Sequence, residues 1–162
     1  MTANAAAITI FGAAEGEART LPRASATGLA GGGGDDDIWN EGSLTVGSRS
    51  VSFASGVGAA AAGFASAEAT GLWGGAGADT LLNSGDVMIA ADAATVARSI
   101  AASAAGYSLS QAGTNSTVDA RGMDGGDGDD LIVNELDAVI GISAVAPTRP
   151  GGAGISVFGA RE

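Results

Sequence analysis

The chain contains no cysteine, no histidine and no lysine. The missing thiols and imidazoles exclude disulfides, thiol chemistry, imidazole base catalysis and zinc sites built on those ligands. A lack of cysteine is compatible with an oxidising exterior but does not by itself assign a compartment. Only seven of the 162 residues are aromatic, and no apolar run approaches the roughly 18 residues of a membrane-spanning helix. Residues 1–30 also lack a basic stretch followed by an apolar one, so no signal-peptide pattern is expected there. Positive charge is scarce: seven arginines face 18 acidic residues, a net charge of -11. Such a polyanion repels nucleic acid and acidic lipid headgroups and suits divalent cations.

Glycine and alanine dominate what is present. A core of Ala, Val and Ile buries little apolar surface per residue, so ions or neighbouring chains are expected to supply part of the stability. The length is that of about one domain.

Three segments, 25–46, 68–89 and 119–140, match one another. Their first motif glycines, Gly31, Gly74 and Gly125, stand 43 and 51 residues apart. Upstream, Ile8–Ile10 and Val51–Phe53 each precede the next motif by 23 residues. The third unit carries about eight extra residues, which the loop-forming chemistry of Ala112–Ser116 places there. The end of the chain, Ile155–Glu162, echoes Ile8–Glu15. Self-similarity at this period marks stacked architectures, whose units cannot cover their own apolar faces alone. The reading is a single repeat domain over 1–162: repeat 1 at about 8–50, repeat 2 at 51–93, repeat 3 at 94–146, and the start of a fourth unit at 154–162. It suggests an excerpt of a longer array or a subunit that continues into the next chain.

Each repeat centres on Gly-Gly-x-Gly-x-Asp-x-(Ile/Leu)-x, at Gly31–Trp39, Gly74–Leu82 and Gly125–Val133. Glycines permit positive φ and close backbone approach, so successive carbonyls can converge, and the aspartate adds a carboxylate. Calcium takes 6–8 hard oxygen ligands. One turn offers about three, and two stacked turns about six.

The motif resembles the calcium-binding nonapeptide of the repeats-in-toxin (RTX, hemolysin-type) family. The resemblance implies Ca²⁺ as cofactor, with Asp36, Asp79 and Asp130 as carboxylate ligands. The backbone of Gly31, Gly33, Gly74, Ala76, Gly125 and Asp127 would complete the set. It also implies export to a bacterial surface, for which the family generally uses a C-terminal signal. Family nonapeptides follow one another directly, whereas these are separated by most of a unit. The expected fold is therefore all-β: a wide right-handed parallel β-solenoid, β-helix or β-roll-like, with one Gly–Asp turn per 43–53 residues. The turns meet at one strand spacing, about 4.8 Å, if each unit is one large coil, and at twice that if each is two small coils. The metal chemistry favours the single coil.

Further positions repeat. Asn40, Asn83 and Asn134 are placed to form a hydrogen-bonded ladder. Ile38, Leu81 and Ile132 are expected to point inward. Trp39, Leu82 and Val133 are expected to point outward, with Trp73 nearby, as a lateral packing row. Strands are predicted at Leu44–Val46, Val87–Ile89 and Ala138–Ile140. The opposite parity of Val51–Phe53 predicts a turn between it and Val46. Residues 92–106 have high helix propensity, but their counterpart in the preceding unit reads as strand, and strand is preferred.

The functional expectation is a calcium-stabilised extracellular structural or adhesive repeat segment, with a cell-surface or matrix ligand as a further partner. The alternative is a self-assembling filament or surface-layer subunit that polymerises head to tail through bare strand edges. Catalysis is not expected. The acidic clusters lie in repeated turns, and the most asymmetric stretch, 141–153, has no acid.

Overall fold

A computed structural model describes residues 1–6, 16–103 and 109–156. The described residues form twelve strands and no helix, so none of them lies in a helix long and apolar enough to cross a membrane. The strands are β1 (Thr2–Ala6), β2 (Glu17–Thr20), β3 (Arg23–Gly33), β4 (Asp37–Asn40), β5 (Leu44–Val57) and β6 (Ala60–Ala76). They continue as β7 (Thr80–Asn83), β8 (Val87–Ser103), β9 (Ala112–Asp127), β10 (Leu131–Asn134), β11 (Ile140–Val145) and β12 (Thr148–Ser156).

Every strand pairing is parallel. One sheet runs β1-β5-β8-β11, with β12 also on β8. A second joins β2, β3 and β9 to β6, and a third runs β4-β7-β10. Each later unit lays its strands on the equivalents of the unit before, a layout compatible with a β-solenoid. The register follows the sequence period: Leu44 lies beside Val87, Ile38 beside Leu81, and Gly32 beside Gly75. Successive Gly–Asp turns are therefore neighbours at one strand spacing, as the single-coil reading requires.

Four details depart from or complete the sequence reading. Ala112–Thr117 pairs with Ala61–Ser66, so the extra residues of the third unit lie before Ala112 and not within Ala112–Ser116. The strand predicted at Ala138–Ile140 begins instead at Ile140, which pairs with Val87. Two additional residues sit in the turn before it, and a shift of two preserves apolar parity, which hid them. Asp92–Ser103 is strand, part of β8. The rest of the ambiguous stretch, with Ile8–Ile10 and residues 157–162, lies outside the described residues.

The fourth departure is the largest. No turn separates Val46 from Val51, because β5 runs unbroken and its buried row is Val46, Ser48, Ser50, Ser52 and Ala54. Val51 and Phe53 belong to the outward row. Here the inward positions are small hydroxyls, because little space separates the two sheets. Thr20 of β2 hydrogen bonds directly to Ser52 of β5. Thr95 of β8 pairs with Ser116 of β9 at 2.7 Å. A Cβ on Gly63 would come within 2.5 Å of Thr95. Nearer the Gly–Asp turns the interior widens, and Ile38, Val46, Leu72, Leu81, Val87 and Ile89 fill it. Fully burying a side chain of this size contributes about 1.5–3 kcal/mol.

Candidate metal centre and its turns

Each turn begins as its strand in the second sheet ends. Gly32, Gly75 and Gly126 have φ of 109°, 115° and 95°, and Gly34, Gly77 and Gly128 have 107°, 139° and 139°. Side-chain-bearing residues rarely adopt this region. Stacking adds a second demand. A Cβ on Gly75 would stand 2.0 Å from the Gly32 carbonyl oxygen, and one on Gly128 would stand 1.7 Å from that of Gly77. The first motif glycine answers to a different neighbour. A Cβ on Gly74 would meet the Gly125 oxygen at 2.3 Å and Asp79 Oδ2 at 2.5 Å. The glycines thus let identical turns lie on one another and leave room for the aspartate.

The three predicted carboxylates form a column. Asp79 is 1 % exposed, and Asp36 and Asp130 are half-buried. The Asp36 amide donates to Asp79 Oδ1 at 2.8 Å, and the Asp79 amide donates to Asp130 Oδ1 at 3.0 Å. Each downstream carboxylate therefore satisfies a backbone donor of the turn before it. The second oxygens of Asp36 and Asp79 are buried and accept no hydrogen bond.

Of the predicted backbone ligands, the carbonyls of Ala76 and Asp127 already accept amides from Gly34 and Gly77, at 2.8 and 2.9 Å. Those of Gly74 and Gly125 face the glycine Cα of the preceding turn. Gly31 and Gly33 lie at the exposed first turn. Among the described residues, no three acidic side chains group around one point. A cation between two turns would therefore draw on two carboxylates and on carbonyls. The two partnerless buried carboxylate oxygens are hard donors, and uncompensated charge in a dry interior is costly. That donor chemistry fits calcium.

The predicted asparagine ladder is present. Asn40 Nδ2 donates to Asn83 Oδ1, and Asn83 Nδ2 donates to Asn134 Oδ1, both at 2.7 Å. The Nδ2 groups of Asn40 and Asn83 also bond Gly42 and Gly85 of their own turns. Ile38 and Leu81 point inward, and Trp39 is 62 % exposed.

Sequence reasoning missed a second glycine column, Gly28, Gly71 and Gly122. A Cβ on Gly71 would strike the Gly122 oxygen at 2.4 Å and the side chains of Val87 and Ile89 at 2.9 Å. The signal was the Gly-(Leu/Met) pair three residues before each motif. Asp35 reads in the sequence as a solvated turn acid, but its Oδ1 accepts the Ala78 amide of the next turn at 2.8 Å.

Other features offer less chemistry. Arg121 is held by Asp119 and Asp124 on the exposed face of β9. Hydrogen bonds to Asp119 first and Asp124 second push its pKa up, so the guanidinium stays charged. An open depression of about 690 Å³ is lined by Gly16, Glu17, Ala60–Ala62 and Gln111–Gly113, with Glu17 as the only carboxylate among the described lining residues.

No family model, curated protein or solved structure matches the chain.

Proposed function

We propose that this chain is a calcium-stabilised structural repeat segment, a right-handed parallel β-solenoid whose Gly–Asp turns share cations between neighbouring units. One observation carries the reading. On two successive turns an aspartate buries a carboxylate oxygen that no donor meets, at Asp36 Oδ2 and Asp79 Oδ2. The Asp36 amide holds the Asp79 carboxylate through Oδ1, and a cation would supply the compensation that the Oδ2 atoms lack. Right-handedness follows from the general preference of parallel crossovers. The resemblance of the motif to RTX repeats supports display at a bacterial surface in calcium-rich surroundings, in a structural or adhesive role. No catalytic role is proposed. Calcium would then tie folding to the compartment, because binding to the folded state alone adds stability.

The test is thermal unfolding of dilute protein, followed by far-ultraviolet circular dichroism, in excess calcium and in excess chelator. At a calcium concentration 100-fold above Kd the stabilisation is about 2.7 kcal/mol. For a chain of this size that is roughly 5–10 °C in Tm. The variant Asp79→Asn keeps the Oδ1 acceptor but removes the charge. It should lose most of the calcium-dependent shift and melt no lower than wild type in chelator. Identical wild-type melting in calcium and chelator would sink the reading.

A further inference from the structure

The two ends of the strand stack are unlike, and they are complementary. Both hydrogen-bonded ladders run one way. The upstream turn donates and the downstream turn accepts, from Asp36 to Asp79 to Asp130 and from Asn40 to Asn83 to Asn134. At the downstream edge the Asp130 amide therefore has no acceptor among the described residues. At the upstream edge Asp36 Oδ1 and Asn40 Oδ1 accept no donor from them.

The positive-φ glycines distinguish the two edges as well. Inside the stack, the carbonyls of Gly32 and Gly34 lie over the Cα atoms of Gly75 and Gly77. At the upstream edge nothing lies within 4 Å of a Cβ placed on Gly32 or Gly34. Those two positions are clear to receive the carbonyls of another turn, as Gly75 and Gly77 already do.

Packing repeats the contrast. In the column Ile38, Leu81, Ile132, exposure is 8 %, 0 % and 46 %. On its downstream side Ile132 lacks the neighbour that Leu81 gives Ile38. The surface that fits a turn with a free amide at Asp130 and an open apolar face at Ile132 is another Gly–Asp turn presenting its upstream edge. This chain carries one, at Gly31–Asn40.

We infer that the edge formed by β9, β10 and β11 docks on β3, β4 and the first part of β5 of a second copy, head to tail. The contact stops short of Phe53, because β1 already pairs with Phe53–Val57. A heterologous contact of this kind leaves both outer edges free and propagates. It also brings Asp35, Asp36 and Asp37 of one copy against Asp127, Asp129 and Asp130 of the other. The middle turn, stacked on both sides, carries Asp79 alone between Ala78 and Thr80. Repulsion at the joint is screened by salt, so association strengthens with ionic strength. None of this depends on the calcium reading.

The experiment is sedimentation velocity of the full chain, from micromolar to millimolar, in 0.15 and 1 M sodium chloride without divalent ions. The expected result is a mass that rises with concentration past the dimer, and rises further at high salt. A wild-type monomer throughout overturns the inference. Ile132→Lys blocks the downstream edge and Leu29→Lys the upstream one. Each alone should remain monomeric, and an equimolar mixture should form a 1:1 dimer through the two intact edges. Undiminished association of Ile132→Lys, or two folded variants that fail to pair on mixing, also overturns it.

Discussion

The half of the interior beside the Gly–Asp turns is built from Ile38, Leu72, Leu81, Val87 and Ile89, whereas the opposite half is built from Thr20, Ser52, Gly63, Thr95 and Ser99. The same strands, β5, β6 and β8, line both. What changes along them is the size and polarity of the inward row. In the wide half, cohesion comes from apolar area. In the narrow half, hydroxyls bond across the gap, Thr20 to Ser52 and Thr95 to Ser116, and Ser99 donates to the Ala59 carbonyl. A chain poor in large apolar residues can thus close a stack by narrowing it and pairing buried hydroxyls, although Ser48 Oγ in the same row is buried without a partner.

Substitutions can break or sharpen this contrast. The largest effect is expected in the wide half. Leu81→Ala empties a fully buried position between Ile38 and Ile132, and chemical denaturation should show a loss of about 2–5 kcal/mol. Next comes the turn itself. Gly74→Ala drives a methyl into the Gly125 carbonyl and Asp79, with an expected cost of about 1–3 kcal/mol. Its control is Gly33→Ala, whose Cβ meets nothing within 4 Å, and which should stay within about 0.5 kcal/mol of wild type. Equal costs for the two glycines would show that stacking is not what the motif answers to. The smallest loss is expected in the narrow half. Ser52→Ala removes one hydroxyl bond to Thr20, worth about 1 kcal/mol. If Ser52→Ala proved as damaging as Leu81→Ala, the division between the two halves would fail.

Much of the turn region was legible in the sequence. Repetition places Asp36, Asp79 and Asp130 at equivalent positions, and a 43-residue period predicts which residues become neighbours. The asparagine ladder follows from the same equivalence. The narrow half was not legible in this way. Around Ser48–Phe53 both parities of β5 are weakly apolar, so alternation favours Val51 and Phe53 as the inward pair. The structure buries the serines. The extra residues of the third unit were also misplaced. Glycine and serine at Ala112–Ser116 read as a loop, but parallel pairing with β6 holds them in strand.

What the sequence determines alone is the period and the column: which residues stack, and which positions tolerate only glycine at positive φ. These follow from identity between units, since equal sequences adopt equal turns. Only the tertiary structure decides how each column is used. The aspartates turn one oxygen to the amide of the turn before and leave the other buried without a partner. The hydroxyls face inward where two sheets approach. The two edges of the stack differ although every unit carries the same motif. Each of these depends on which group lies across the next strand spacing. The direction of the backbone through the stack sets that, and spacing along the chain does not encode it.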